Sequence, residues 1–252
     1  MHRFIETPHL PKAKVWHIII GEKYRDLFES REFLNEFEVL WLPESKTLDG
    51  RIAGHCDMSA VHAGGEKLIL AEYLRGTEFA DRLISLGAKL CYVNDPCGNY
   101  PDDAKMNVCA VGKYLFANPK SADGQIVKLL TEGGRQLISC RQGYTKCSVC
   151  VVSDDAIITS DTVIADKAAK HGIDCLKICS GAVKLDGYEH GFFGGASFKI
   201  SQDTLLVCGD ISKHPDAEAI VSFAKEHGVT VRSLNNKDIV DIGSAIPLTE
   251  SI

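Results

Sequence analysis

Residues 143–178 read GYTKCSVCVVSDDAIITSDTVIADKAAKHGIDCLKI. This stretch parses as one complete structural unit. Cys147 to Val152 is a short run of β-branched and apolar residues, Ser153-Asp154-Asp155 is a turn cluster, and Ala156 to Thr159 is a second strand. Asp161 is placed to cap a helix whose Ile164, Ala165, Ala168 and Ala169 share one face, and Gly172 is placed to end it. Ile173 to Ile178 reads as a third strand. The grammar is strand, turn, strand, helix, strand.

Working outward, the same grammar recurs. Upstream, Asn107 opens a unit (NVCAVGKYLFAN) with Gly112-Lys113 as its hairpin turn. Ser121 is read as the cap of its helix, and Gln136 to Cys140 closes it. Before that, a unit opens near His55 and Asp57, continues through Lys67 to Ala71 and a helix from Thr77, and closes at Lys89 to Val93. Downstream, Ser197 opens a unit with Leu205 to Cys208 as second strand, Pro215 as first helical residue, and Val229 to Leu234 as last strand. The amino-terminal segment has a strand at Val15 to Ile20, a helix with Tyr24, Leu27, Phe28, Leu34 and Phe37 near one face, and a strand at Glu38 to Leu42. It lacks an opening strand, and the tail from Ile239 to Leu248 looks like one without a helix. Asp57, Asn107, Ser148, Ser197 and Ser244 hold corresponding places at a period of roughly 40–50 residues. The units are therefore about 55–106, 107–146, 147–195 and 196–238, with 239–252 plus 1–54 making the last, in one domain.

Composition bounds the function. The chain has 252 residues, 45% hydrophobic and 25% charged, with a formal net charge of -6, enough for a large core. No basic tract marks a nucleic-acid partner. The start, MHRFIETPHLPKAKVW, has no apolar signal core, and no apolar run reaches the length of a membrane span. The ten cysteines are scattered through strands rather than framing loops, which suits reduced thiols in the cytoplasm.

Five such units, the last completed by both chain ends, resemble the pentein fold of the guanidino-group-modifying enzymes. The strings NVCAVGKYLFAN, GYTKCSVC, DGYEHGFFGGAS, GDISKHPD and DIGSAIPL are similar to an uncharacterised bacterial family of that fold. The resemblance implies an α/β propeller of five ββαβ units around a pseudo-five-fold axis, with the opening strands lining a polar central channel. It also implies a hydrolase or transferase acting on a small guanidino- or amide-type substrate. The alternative is a non-catalytic binding protein, comparable to the ribosomal-subunit anti-association factor of the same fold. Deiminases and dimethylarginine hydrolases of the fold use a cysteine near the carboxyl end, a histidine and two carboxylates. The tail here carries Ser244 in place of that cysteine.

The candidate chemistry then falls to other residues. Cys147 opens the central unit and is the candidate nucleophile, or else a small buried strand residue. His55 and His190 are candidate bases, with Asp57 and Glu189 as their carboxylates. On a strand, His55 and Asp57 would share a face. Glu189 and His190 sit in a long glycine-rich loop, SGAVKLDGYEHGFFGG, that could cover a pocket or simply face solvent. Asn107, Ser148, Ser197, Asp241 and Ser244 are the candidate substrate-binding residues. His214-Pro215-Asp216 reads as a helix start. Cys147 and Cys150 form a CxxC, but on a strand residues three apart point to opposite faces. No metal and no cofactor is expected. The expected partner is a small polar ligand in the channel.

Overall fold

A computed structural model of the chain describes residues 1–28 and 31–252. Among them lie five three-stranded sheets, each an antiparallel pair followed by a parallel pair. The central unit joins Cys150–Ser153, Ala156–Thr159 and Asp174–Lys177, with the helix Thr162–Lys170 making the parallel crossover. The Asp161 side chain accepts from the Ile164 N–H, and Gly172, at φ +72°, turns the chain out of the helix. The units at Ala60–Gly64, at Cys109–Val111 and at Ser197–Ser201 repeat this order.

The middle strand of each unit is a near-continuous apolar run because both its faces are buried. Successive side chains point to opposite faces. Ile157 therefore enters a core wedge with Cys109, Phe116 and Ile164, while Ile158 enters the next wedge with Leu205, Val207, Ile220 and Phe223. Leu205 and Leu206 divide the same way, as Leu206 packs with Ile18, Ile20 and Phe28. Ile19 joins Leu68, Leu70 and Phe79, and Ile69 joins Leu115, Ile126 and Leu130. Each wedge thus ties one unit to the next, and the sequence of wedges returns to its start. A buried Ile or Leu in such a wedge contributes about 1.5–3 kcal/mol.

Both chain ends close the ring. Ile246–Pro247 pairs antiparallel with His17–Gly21, Ile246 opposite Ile19, and His17–Gly21 pairs parallel with Glu38–Leu42. This is the pentein-type propeller, with the missing opening strand of the amino-terminal segment supplied by the tail. Outside the repeat, His2–Phe4 pairs with Thr249–Ser251, a strand pair that the sequence pattern did not announce. Glu250 fastens it by accepting from Arg3 Nε at 3.0 Å and from the Ala13 N–H at 3.0 Å.

Several local expectations are corrected. Cys147 is not on a strand: Thr145–Ser148 is a helical turn, and the strand begins at Cys150. His55 and Asp57 do not share a strand face, since they flank the 3-10 turn Cys56–Met58 ahead of Ala60–Gly64. Asp123, not Ser121, caps the helix Gly124–Glu132, because its carboxylate reaches the Gln125 and Ile126 N–H groups. The helix Ala217–Glu226 starts two residues beyond Pro215. The helix expected across Tyr24 to Phe37 includes residues 29 and 30, which lie outside the described residues. Around them are a 3-10 helix at Glu22–Leu27 and a short helix at Arg31–Glu36, with Leu34 exposed. Among the described residues no helix is long and apolar enough to cross a membrane.

Candidate active site

Three turns and the tail converge on one point. Asn107 lies just ahead of the strand Cys109–Val111, and its Oδ1 accepts from the backbone N–H of Lys146 at 2.7 Å and of Cys147 at 3.2 Å. This caps the turn that carries the thiol. Asn107 Nδ2 in turn donates to Cys147 Sγ at 3.3 Å and reaches Met58 Sδ at 3.4 Å. From the turn Cys56–Met58, Asp57 Oδ2 accepts from the Cys147 thiol at 2.9 Å. The Asp57 N–H donates to Gly243 O at 3.2 Å, so the tail holds this turn in place. Gly243 sits at φ +68°, and a Cβ there would come 2.2 Å from His55 Cβ. Only glycine allows the tail to pass so close to the imidazole.

Asp241 completes the cluster. Its Oδ2 accepts from the Phe192 N–H at 2.8 Å, its Oδ1 accepts from the Gly243 N–H at 2.9 Å, and Oδ1 stands 4.0 Å from His55 Nδ1. His55 Nε2 and Asp57 Oδ1 are buried without a hydrogen-bond partner. One ligand-type atom from each of His55, Asp57 and Cys147 lies within 4.8 Å of the others. Behind them is Lys146, whose ammonium donates to Ser244 Oγ at 3.0 Å and Gly194 O at 3.1 Å.

Burial sets the protonation states. It holds the His55 imidazole down to about 3, so the ring is neutral. It lifts Asp57 to about 7 and Asp241 to about 6, against the opposing pull of the Lys146 charge. The Cys147 thiol is pushed well above its ordinary range by burial, then by the charges of Asp57 and Asp241. The ligand-free site is therefore a protonated thiol beside a neutral imidazole and two carboxyl groups that resist ionisation.

A cavity of about 250 Å³ opens onto this cluster. His55, Cys147 and Asp241 provide polar atoms, while Ile52, Met58, Tyr144, Leu185, Tyr188 and Phe192 supply apolar and aromatic wall. The Tyr144 hydroxyl donates to Asp103 Oδ2 at 2.7 Å. The glycine-rich loop forms one side. Its Gly195 N–H donates to Cys147 O at 2.8 Å, and a Cβ on Gly195 would lie 2.0 Å from Asp241 Oδ1. Arg51 stacks over Tyr188 at 4.4 Å and donates to Gly187 O at 2.8 Å, which pins the loop's outer turn.

Residues 23–246 match the sequence profile of a family described as of unknown function (DUF6873). The chain belongs to this family. No curated protein matches it by sequence. Among solved structures it is similar to an inosamine-phosphate amidinotransferase from Streptomyces griseus, with 12% identity and TM-score 0.60 over 98% of this chain and 97% of that one. It is also similar to an agmatine deiminase from C. jejuni, with 12% identity and TM-score 0.54 over 93% of this chain and 91% of that one. A third is DDAH from Pseudomonas aeruginosa, with 10% identity and TM-score 0.53 over 95% of this chain and all of that one. All three are pentein-fold guanidino-modifying enzymes, and at these identities the likeness establishes the fold.

Of the residues singled out from the sequence of this family member, His55, Asp57, Asn107, Cys147 and Asp241 come together. His190 lines the cavity half-buried, its Nδ1 near Gly191 O at 3.1 Å. Glu189 is exposed and does not line the cavity, so the expected Glu189-His190 pairing is corrected: the loop turns the two side chains to different surroundings. The serines are interior rather than ligand-facing. Ser197 Oγ donates to Phe193 O at 2.7 Å, Ser244 Oγ is engaged by Lys146, and Ser148 is buried outside the cavity lining. Cys150 packs in an apolar wedge away from Cys147's partners, so the CxxC is not a chelating pair. Sequence reasoning missed Lys146, Tyr144 and Phe192. A lysine inside the apolar run TKCSVCVV was the one available signal.

Proposed function

We propose that this protein is a cysteine-dependent hydrolase or transferase acting on a small cationic substrate of guanidine or amidine type. The observation that carries this reading is the setting of Cys147. Cys147 lines the cavity together with His55, whose Nε2 is without a hydrogen-bond partner, and the Asp57 carboxylate accepts from the thiol. A planar cation in the cavity would find the Asp241 carboxylate as acceptor, with aromatic wall for its substituent. Two structural neighbours, an agmatine deiminase and an inosamine-phosphate amidinotransferase, support the same substrate class.

The Cys147 thiol gives its proton to Asp57 Oδ2, which already accepts from it at 2.9 Å, and the sulfur forms a bond to the central carbon of the bound cation. The carbon–nitrogen bond to the leaving amine breaks, and that amine takes the proton from Asp57. Water, or an acceptor amine in a transferase, then attacks the same carbon and releases the thiol. Asn107 holds the sulfur's orientation through this cycle. A reducing cytoplasm suits such a thiol and the exposed Cys97 and Cys179.

The second reading is a binding protein that holds the cation without turning it over. The Cys147 thiol's contact with Asp57 favours it, since a protonated thiol is not a nucleophile. One experiment separates the two. Metal-free protein is incubated with a panel of guanidino and amidino compounds, and release of ammonia, urea or amine is followed. Turnover should appear for at least one compound and fall by about 10³-fold or more in Cys147→Ser. A cationic haloacetamidine should label Cys147 faster than the neutral haloacetamide does. Equal labelling rates with no turnover would overturn the catalytic reading.

A further inference from the structure

We infer that His55, Asp57 and Cys147 also form a binding site for a thiophilic divalent ion of the zinc class. Three donors of different type, an imidazole nitrogen, a carboxylate oxygen and a sulfur, lie within 4.8 Å of one another. Two of the three residues carry orphaned polar atoms: His55 Nε2 and Asp57 Oδ1 are both buried and without a partner. Neither residue is more than 4% exposed. Buried polar atoms without partners are costly, and a bound ion is one way to satisfy them. The S, N, O donor set selects against magnesium and calcium, which take oxygen ligands, and favours zinc.

The surroundings fit. Three protein ligands with a fourth position open to a cavity is the arrangement of zinc sites that take an exogenous ligand. His55 and Cys147 both line the 250 Å³ cavity, so a fourth position would face it. Asn107 Nδ2 donates to the sulfur at 3.3 Å, and Asp241 Oδ1 stands 4.0 Å from His55 Nδ1, a gap that would have to close by about 1 Å for it to orient the imidazole. The ion's two positive charges and that of Lys146 would balance Asp57, Asp241 and a Cys147 thiolate. Zinc–ligand distances of about 2.0–2.3 Å require the donors to contract by roughly 1 Å, within the reach of side-chain rotation. The ion would occupy the sulfur and the imidazole nitrogen at once, so it excludes chemistry at Cys147. That consequence rests on the proposed function; the binding does not.

The test uses full-length protein freed of metal by chelation and titrated with Co²⁺. A sulfur-to-cobalt charge-transfer band and tetrahedral d–d bands should saturate at one equivalent and bleach on adding Zn²⁺. The charge-transfer band should vanish in Cys147→Ser, whose fold is checked by circular dichroism. Asp241→Asn should keep the band and weaken binding about tenfold or more, as loss of an outer partner does. Cys179→Ser should change nothing, which separates this site from the surface group Cys179, His214 and Asp216. No thiolate band in the wild type, or a band that survives Cys147→Ser, would overturn the site. Zn²⁺ should also protect Cys147 from the haloacetamidine. Binding with the cobalt signature but undiminished labelling would overturn the exclusion while leaving the site, and absence of turnover would bear only on the proposed function.

Discussion

Asp57 is almost fully enclosed, with one carboxylate oxygen on the Cys147 thiol and the other unpartnered. Burial raises its pKa from 3.8 to about 7. Because the folded-state value lies above the unfolded one, the folded protein holds this proton more tightly. Below pH 3.8 both states are protonated and no penalty exists. As pH rises toward 7 the unfolded chain ionises first and stability falls; above 7 the full cost persists. That cost is on the order of a few kcal/mol. Metal-free Asp57→Asn should therefore melt about 5 °C or more above the wild type at pH 8, with the difference closing near pH 4. Melting curves that run parallel across this range would show that Asp57 is not strained.

At the scale of elements, the strands and crossover helices were legible and the turns before them were not. Lys67–Ala71 and Ala156–Thr159 fall where the apolar runs put them, because a middle strand buried on both faces leaves a continuous signature. Cys147 and Asp57 sit on short turns, whose geometry comes from remote partners such as Asn107 and Gly243. The tail is the element most constrained by the site. Gly243→Ala adds a Cβ at positive φ and 2.2 Å from His55 Cβ. It should lower stability by about 2 kcal/mol or more and displace the imidazole. Cys147 labelling by the cationic reagent should slow even at temperatures where the variant is folded. Gly124, by contrast, begins a helix with open space around its Cα. Gly124→Ala should leave labelling unchanged and stabilise by up to about 1 kcal/mol. Equal effects of the two substitutions on labelling would refute the role given to the tail.

For the whole molecule, closure is the property on which everything else depends. The wedges join each unit to the next, and the last joint is made by Ile246–Pro247 on His17–Gly21. Removing residues from Asp238 onward deletes that strand, the Glu250 anchor and Asp241 together. The edge of His17–Gly21 would be left unpaired, and exposed edges of this kind template aggregation. The truncated chain should elute as aggregate in size-exclusion chromatography and lose its cooperative melt. A monomeric, cooperatively unfolding product would contradict the ring.

The order of elements and the closing of the ring could be read from the chain because both are written locally. Each unit carries its own apolar runs and turn signals, and the missing strand at one end matched the spare strand at the other. Cys147, His55, Asp57, Asn107 and Asp241 could be named as residues of interest, but not assembled. The site is made of contacts such as Cys147 to Asp57 across 90 residues and Cys147 to Asn107 across 40. Such contacts leave no periodic trace. Glu189 and His190 are adjacent in sequence, yet only the loop's folded path leaves one exposed and puts the other on the cavity. Lys146 reads as a surface lysine until packing buries it against Ser244 and Gly194. Local propensity fixes elements through nearest neighbours; burial and the meeting of distant turns, which set every protonation state in the site, exist only once the ring is closed.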